Sequence, residues 1–282
     1  MTDQETPERP SGEVPLAPPG LGGPPAPPSG KLVRFTIADG IATITLDSPR
    51  NRNALSRQLV SELAERLDAA ADDPSVRAVL LTHTSTVFCA GADLSEARQG
   101  GMNQGAGALL DLLRQIVQLP KPVIARIDGA VRAGGLGLVG AADIAVASES
   151  SGFAFTEARL GLTPAIISLT VLPRLDPRAA SRYFLTGEKF DGATAARIGL
   201  VTAAAPDVDT ALEPILAGVR AGSPQGLAES KKLVAAGVLA AIDQGGDQMA
   251  ELSARLFGSE EAAEGMSSFL ERRPPRWASG SS

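Results

Sequence analysis

Three groups of residues in this chain have types and spacing that suit chemistry. The first is Val131-Arg132-Ala133-Gly134-Gly135-Leu136-Gly137-Leu138-Val139-Gly140, in which three glycines fall within four residues and an apolar run continues to Ala142. It reads as a tight turn feeding a short helix. The opening N–H groups of a helix lack partners inside it and sit at the positive end of its dipole. Glycine removes side-chain bulk and lets another molecule approach those N–H groups. Such donors suit an anion, bound permanently as phosphate or formed transiently during a reaction. The second group, Ala90-Gly91-Ala92-Asp93, is another small-residue turn that follows a strand. If parallel strands bring the two turns together, two backbone N–H groups can grip one oxygen. The third is Glu157, at the end of an extended piece in a Phe- and Leu-rich stretch, with Gly161 and Pro164 shaping the next turn. An apolar pocket raises the pKa of such a carboxyl and makes it useful for proton transfer near neutral pH.

Other chemistries fit less well. Gly135-x-Gly137-x-x-Gly140 matches the dinucleotide fingerprint letter for letter, with Glu149 as a stand-in for the ribose-binding acid. That fingerprint needs a strand running straight into the first glycine and then a crossover of about 10–12 residues or more. Here Asp128 to Arg132 intervene, and the helical run ends near Ala142, before the strand Ile144 to Ala147. The single cysteine, Cys89, and single histidine, His83, cannot make an internal disulfide or a structural zinc site. His83 sits at a strand end and no Gly-x-Ser-x-Gly elbow accompanies it, so a structural role is expected. The net charge of −6 argues against a broad nucleic-acid surface. No apolar run approaches about 18 residues, so no membrane insertion is expected. The acidic, proline-rich N-terminus is unlike a secretory signal, and a cytoplasmic location follows as the default.

The elements that must position these groups are legible in order. Residues 1–30 hold Pro15, Pro18, Pro19, Pro24, Pro25, Pro27 and Pro28 and read as a disordered tail; docking to a proline-recognition module is the lesser reading. Leu32 to Ile37 and Ile41 to Leu46 flank Asp39-Gly40 as a hairpin. Ser56 caps a helix to about Ala71 with Leu59, Leu63, Leu67 and Ala70 on one face. Short strands are expected at Val76 to Thr82, Val87 to Cys89, Pro122 to Ile127, Ile144 to Ala147 and Phe153 to Phe155. Gly100 to Gly107 reads as mobile, and Leu109 to Leu119 as a helix stopped by Pro120. Asp93 is placed to cap the turn that follows it. Strands alternating with short helices predict an α/β fold, and their brevity suits repeated βα turns stacked as a spiral. From about Asp176 the chain turns helical: Arg178 to Thr186, Asp191 to Ile198, Asp209 to Ala221, a long helix opened by Pro224, then Gln248 to Phe257 and Ser259 to Arg272.

Several blocks together resemble the crotonase superfamily, the enoyl-CoA hydratases and isomerases. They are Phe88-Cys89-Ala90-Gly91-Ala92-Asp93-Leu94, Asp128-Gly129 with Gly134-Gly135, and Thr156-Glu157-Ala158-Arg159-Leu160-Gly161-Leu162-Thr163-Pro164. Tyr183 to Gly187, Ala195 to Val201 and Glu264-Gly265-Met266 add to the likeness, which runs from about Lys31 to Arg273. The resemblance implies a ββα spiral acyl-CoA-binding core over residues 31–205 and a helical C-terminal oligomerisation region over 206–282. It further implies an acyl-CoA substrate whose thioester oxygen is held by the N–H groups of Ala92 and Gly134. One such donor is worth about 3–4 kcal/mol to an enolate. Of the family's two catalytic glutamates, one maps to Glu157 and the other to Gly137, where it is lost. Asn53, Ala54, Leu55, Ala90, Asp93, Leu94 and Gly135 fall in segments that line the coenzyme A ester. Arg272 matches a basic position that reaches the adenosine phosphates of a neighbouring subunit. A homotrimer or hexamer is implied, and no cofactor, since coenzyme A belongs to the substrate.

Gly135 to Val139 with Pro164 to Ser168 is similar to the branch that includes bacterial methylglutaconyl-CoA hydratases, which also carries glycine at the lost position. This favours hydration of a short branched or carboxylated enoyl-CoA. A double-bond isomerase that uses Glu157 as a proton shuttle is the alternative, and a non-catalytic acyl-CoA-binding subunit is a third.

Overall fold

Hydrophobic periodicity builds the first elements as expected. Strands β1 (Val33–Ala38) and β2 (Ile41–Leu46) pair antiparallel around Asp39-Gly40, both at positive φ, which a two-residue hairpin turn of this hand requires. Helix α1 (Arg57–Asp72) is capped by the Ser56 side chain, which accepts from the Leu59 N–H, and it buries Leu59, Leu63, Leu67 and Ala70. This computed structural model describes residues 30–93, 96 and 102–278. The tail expected at the N-terminus, apart from Gly30, lies outside the described residues.

From β3 onward the chain repeats one pattern. A longer strand joins a first sheet, and a short strand beside it joins a second. The longer strands are β3 (Ala78–His83), β5 (Val123–Ile127) and β7 (Ile144–Ser148); the short ones are β4 (Val87–Cys89), β6 (Ala130–Arg132) and β8 (Gly152–Ala154). With β9 (Phe190–Asp191) and β10 (Ala203–Ala205) the first sheet runs β1-β2-β3-β5-β7-β10 and the second β4-β6-β8-β9. All pairings between β2 and β10 in the first sheet are parallel, as are β4 with β6 and β6 with β8. The ββα core that the family resemblance implies is the observed architecture; the brevity of the strands alone pointed only to repeated βα turns.

Helix α2 (Met102–Gln118) follows β4, and α3 (Gly134–Ala141) follows β6. Residues 102–107, expected to be mobile, are the opening of α2. After β8 a 3-10 turn, Glu157–Leu160, leads to α4 (Ala165–Val171). The helical C-terminal region holds α5 (Pro177–Thr186), α6 (Gly192–Arg197), α7 (Val208–Ala221), α8 (Pro224–Phe257) and α9 (Glu260–Glu271). Gln248 to Phe257, expected as a separate helix, is the last part of α8. Gly245 and Gly246 do not break that helix. A Cβ at either position would press on Leu169 or Leu110, so the glycines let α8 lie close on α4 and α2.

The described residues from Lys31 onward form one compact unit, and Ala235, Val238 and Ile242 of α8 belong to the same apolar core as the sheets. A buried ion pair reinforces the joint. Lys231 of α8 lies 2.8 Å from Asp143, and also donates to the carbonyls of Ile116 and Lys121. Asp143 in turn accepts from the Val123 N–H of β5. Removing either partner strands a buried charge, which costs about 3–5 kcal/mol. No helix among the described residues is long and apolar enough to cross a membrane.

Candidate active site

The short strands β4, β6 and β8 are parallel neighbours, so they deliver their following residues at one end of the second sheet. These residues are Ala90-Gly91-Ala92, Ala133-Gly134 and Phe155-Thr156-Glu157. The three groups singled out by residue type therefore emerge side by side, although they are about 65 residues apart from first to last in the chain.

The first two bends touch. A Cβ built on Gly134 would stand 3.7 Å from the Gly91 Cα and 3.8 Å from the Ala92 nitrogen. Gly91 has φ +92°, and a Cβ there would lie 2.8 Å from the Ala133 methyl, so only glycine fits. Leu55 fixes this bend by donating its N–H to the Gly91 carbonyl at 2.8 Å. Leu55 and Ala92 form an isolated parallel bridge, in which that bond leaves the Ala92 N–H unused. Gly134 is the first residue of α3, where an N–H has no intrahelical partner. Neither N–H has a hydrogen-bond acceptor among the described residues. Two donors thus stand together, available to one oxygen.

Glu157 opens the 3-10 turn that follows β8, with only 8 % of its surface exposed. Its Oε2 is buried with no hydrogen-bond partner among the described residues. Burial pushes the carboxyl pKa up to about 7, against the N–H groups of Glu157 and Thr156, which favour the anion. A carboxyl poised there exchanges protons readily near neutrality.

Gly137 lies one turn along α3 from Gly134. A Cβ there would sit 2.6 Å from the Ile167 Cγ2 of α4 and 3.3 Å from a Leu113 methyl of α2. The space a longer side chain would need is filled by apolar groups. Gly137→Glu is expected to lower the melting temperature sharply. Overpacking costs about 1–3 kcal/mol, and an unpaired buried charge adds several more. Ile167→Ala in the same chain should recover part of the loss in thermal melts; an unchanged melting point for Gly137→Glu alone would show that the wall yields freely.

The remaining sequence candidates divide. Ala54 and Leu55 border the bend, and Leu55 reaches the Gly134 backbone. Ala90 donates its N–H to the Arg52 carbonyl, and Asp93 accepts from the Asn51 amide. Leu94, and the turn Asp93 was expected to cap, lie outside the described residues. Asn53 has a structural part to play. Its side chain is fully buried, accepts from the Ser48 N–H and donates to the Val87 carbonyl, tying the loop before α1 to β4. Gly135 is likewise a packing residue, because its missing side chain makes room for Cys89 at 2.7 Å. Arg272 is exposed, at positive φ, as the C-cap of α9.

His83 is structural, as expected. Its Nε2 accepts from the Asp128 N–H at 3.0 Å, and the ring meets Phe88 edge-on. Burial lowers its pKa, so the neutral ring is the folded form. Cys89 is buried and its thiol is pushed up to about 12, which leaves no thiolate for nucleophilic chemistry. Sequence reasoning missed two residues, Ile167 and Ala133. Ala133, between β6 and α3, has φ 45° and ψ −120°. Glycine is the residue type that usually marks such a conformation, and alanine gives no sign of it.

Comparison with known proteins places the chain in a family. The structure superposes on the crystal structure of an enoyl-CoA hydratase from Mycobacterium avium with a TM-score of 0.83 and 54% identity, over 88% of this chain and 99% of that one. This gives the class: a crotonase-fold protein. A family model described as enoyl-CoA hydratase/isomerase matches residues 36–280, and the chain belongs to that family. Relatives include the carnitinyl-CoA dehydratase of Proteus mirabilis, 32% identical over 87% of this chain and 97% of that protein. Another is the 2,3-dehydroadipyl-CoA hydratase of Escherichia coli, 31% identical over 83% of this chain and 94% of that protein.

Proposed function

We propose that the protein is an enoyl-CoA hydratase that adds water across the 2,3 double bond of an enoyl-CoA thioester. The observation that carries this reading is the meeting of the Ala92 and Gly134 N–H groups at the end of the sheet from which Glu157 also emerges. The two donors hold the thioester oxygen. Glu157 as the anion takes a proton from a water, whose oxygen bonds to C3 while the C2–C3 π electrons move toward the carbonyl. A proton then passes to C2, and Glu157 finishes as it began. The water's hydroxyl ends on C3 and its other hydrogen is balanced on C2. The reaction needs no cofactor beyond the coenzyme A of the substrate.

A second reading has one specific observation in its favour. Position 137 is a glycine, and the side chains nearest to it among the described residues, Ile167 and Leu113, are apolar. One carboxylate suffices to carry a proton from C2 to C4 of a 3-enoyl-CoA, shifting the double bond without water. Incubation with crotonyl-CoA and 3-methylglutaconyl-CoA separates the cases. Loss of the conjugated thioester absorbance supports hydration. A gain of that absorbance from a 3-enoyl-CoA supports isomerisation, and binding without either marks a non-catalytic acyl-CoA subunit.

Both reactions need ionised Glu157. The rate constant kcat/KM is expected to rise with pH and reach half its plateau near the carboxyl pKa of about 7. A profile that stays flat from about pH 5.5 to about pH 8.5 would remove this group from the rate-limiting proton transfer.

The family resemblance also supports a cytoplasmic homotrimer or hexamer. Leu233 and Val234 of α8, Phe269 and Leu270 of α9, and Trp277 are exposed apolar side chains suited to burial between copies. Arg272 then reaches the coenzyme A phosphates of a neighbouring subunit. Sedimentation of the full chain tests the assembly.

A further inference from the structure

The direction of a backbone N–H is set by the torsion angles of the residue before it. The Gly134 N–H belongs to the peptide that joins Ala133 to Gly134, so the ψ of Ala133 turns it. Ala133 has φ 45° and ψ −120°. This is the first central position of a II′-type bend, where glycine is the usual occupant because a Cβ is strained there. Residues kept in such conformations persist only where their surroundings over-determine them.

Three contacts do so here. The Ala133 N–H donates to the Ala154 carbonyl of β8 at 3.3 Å, and the Ala133 carbonyl accepts from the Leu136 N–H of α3 at 2.8 Å. Its methyl occupies the place a Gly91 side chain would take. The methyl therefore stands between the two bends that carry the proposed donors.

We infer that Ala133 is a positioning residue for the reaction: its methyl, seated on Gly91, spaces the Ala92 and Gly134 donors and locks the peptide that carries the Gly134 N–H. The inference rests on the proposed role of those donors at a thioester oxygen. Glycine at this position keeps every hydrogen bond but frees the peptide to rotate. The strain in the folded state is relieved, and the spacer is lost.

The test compares the full-length protein with its Ala133→Gly variant, using butyryl-CoA labelled with carbon-13 at the thioester carbonyl. This ester has no double bond and is not turned over, and its carbonyl stretching frequency falls when donors polarise it. The wild-type protein is expected to lower that frequency, and the variant to lower it less, while both bind the ester with affinities within about twofold. The melting temperature should stay level or rise, since strain is relieved. On the enoyl-CoA that the wild type hydrates, kcat should fall roughly tenfold with little change in KM, a fraction of the loss expected for deleting a donor. An equal shift and equal kcat in the variant would overturn the role of Ala133. Absence of any shift in the wild type would instead overturn the reading of the donors, and the two failures are thereby told apart.

Discussion

Glu157→Gln is expected to reduce kcat by roughly 10²–10⁴-fold while binding of the coenzyme A ester survives. The amide keeps the shape of the side chain and cannot take a proton from water. The same substitution should stabilise the fold in a pH-dependent way. Burial raises the Glu157 pKa from 4.5 to about 7. A raised carboxyl contributes its full share of stability below about pH 4.5 and loses it as pH rises through about 7. Above that range the buried anion costs about 3 kcal/mol, which a neutral amide avoids. The melting point of Glu157→Gln minus that of the wild type should therefore widen by several degrees between about pH 4.5 and about pH 8. Full activity in the variant, or a gap that shrinks with pH, would separate Glu157 from both the mechanism and the strain of its burial.

Gly134→Pro is expected to lower kcat by roughly 10²–10³-fold, because it deletes one of the two donors. Proline is tolerated at the first position of a helix, where its missing N–H has no helical partner to lose. Gly134→Ala is the matched control. Its added Cβ presses on the flexible Leu55 Cδ1 tip at 2.8 Å and stands in ordinary contact with the Gly91 Cα and the Ala92 nitrogen, and the substitution keeps the N–H. Alanine should thus retain most of the activity, and Leu55→Ala should give either substitution more room. Equal activity for proline and alanine, with melts showing both proteins folded, would mean that the Gly134 amide holds nothing in the reaction.

The parts of the site legible in the sequence are those that chemistry forces into residue type. Backbone donors need neighbours without bulk, so the bends at Gly91 and Gly134 announced themselves as glycines. Glu157 stood out as a carboxyl in an apolar stretch. The hairpin at Asp39-Gly40 and the cap at Ser56 were visible because local rules set them. What stayed hidden depends on distant neighbours. Asn53 looks like a polar contact for a ligand until its amide is found spent on Ser48 and Val87. Gly135 looks like part of the anion turn but gives way to Cys89. A separate helix was expected from Gln248 to Phe257, yet tertiary packing at Gly245 and Gly246 carries α8 straight through to Phe257. Ala133 was invisible for a different reason, since an alanine at positive φ is a conformation the residue itself disfavours.

The filled space over Gly137 makes sequence change at this site directional. A lineage gaining an acid at position 137 meets the Ile167 side chain first, so the substitution is harmful until position 167 has shrunk. Trimming Ile167 alone leaves a void, which is itself a loss. Each single step runs downhill and only the pair can be neutral. Position 137 is thus held without an acid by a ratchet of shape, whatever advantage an acid there would bring.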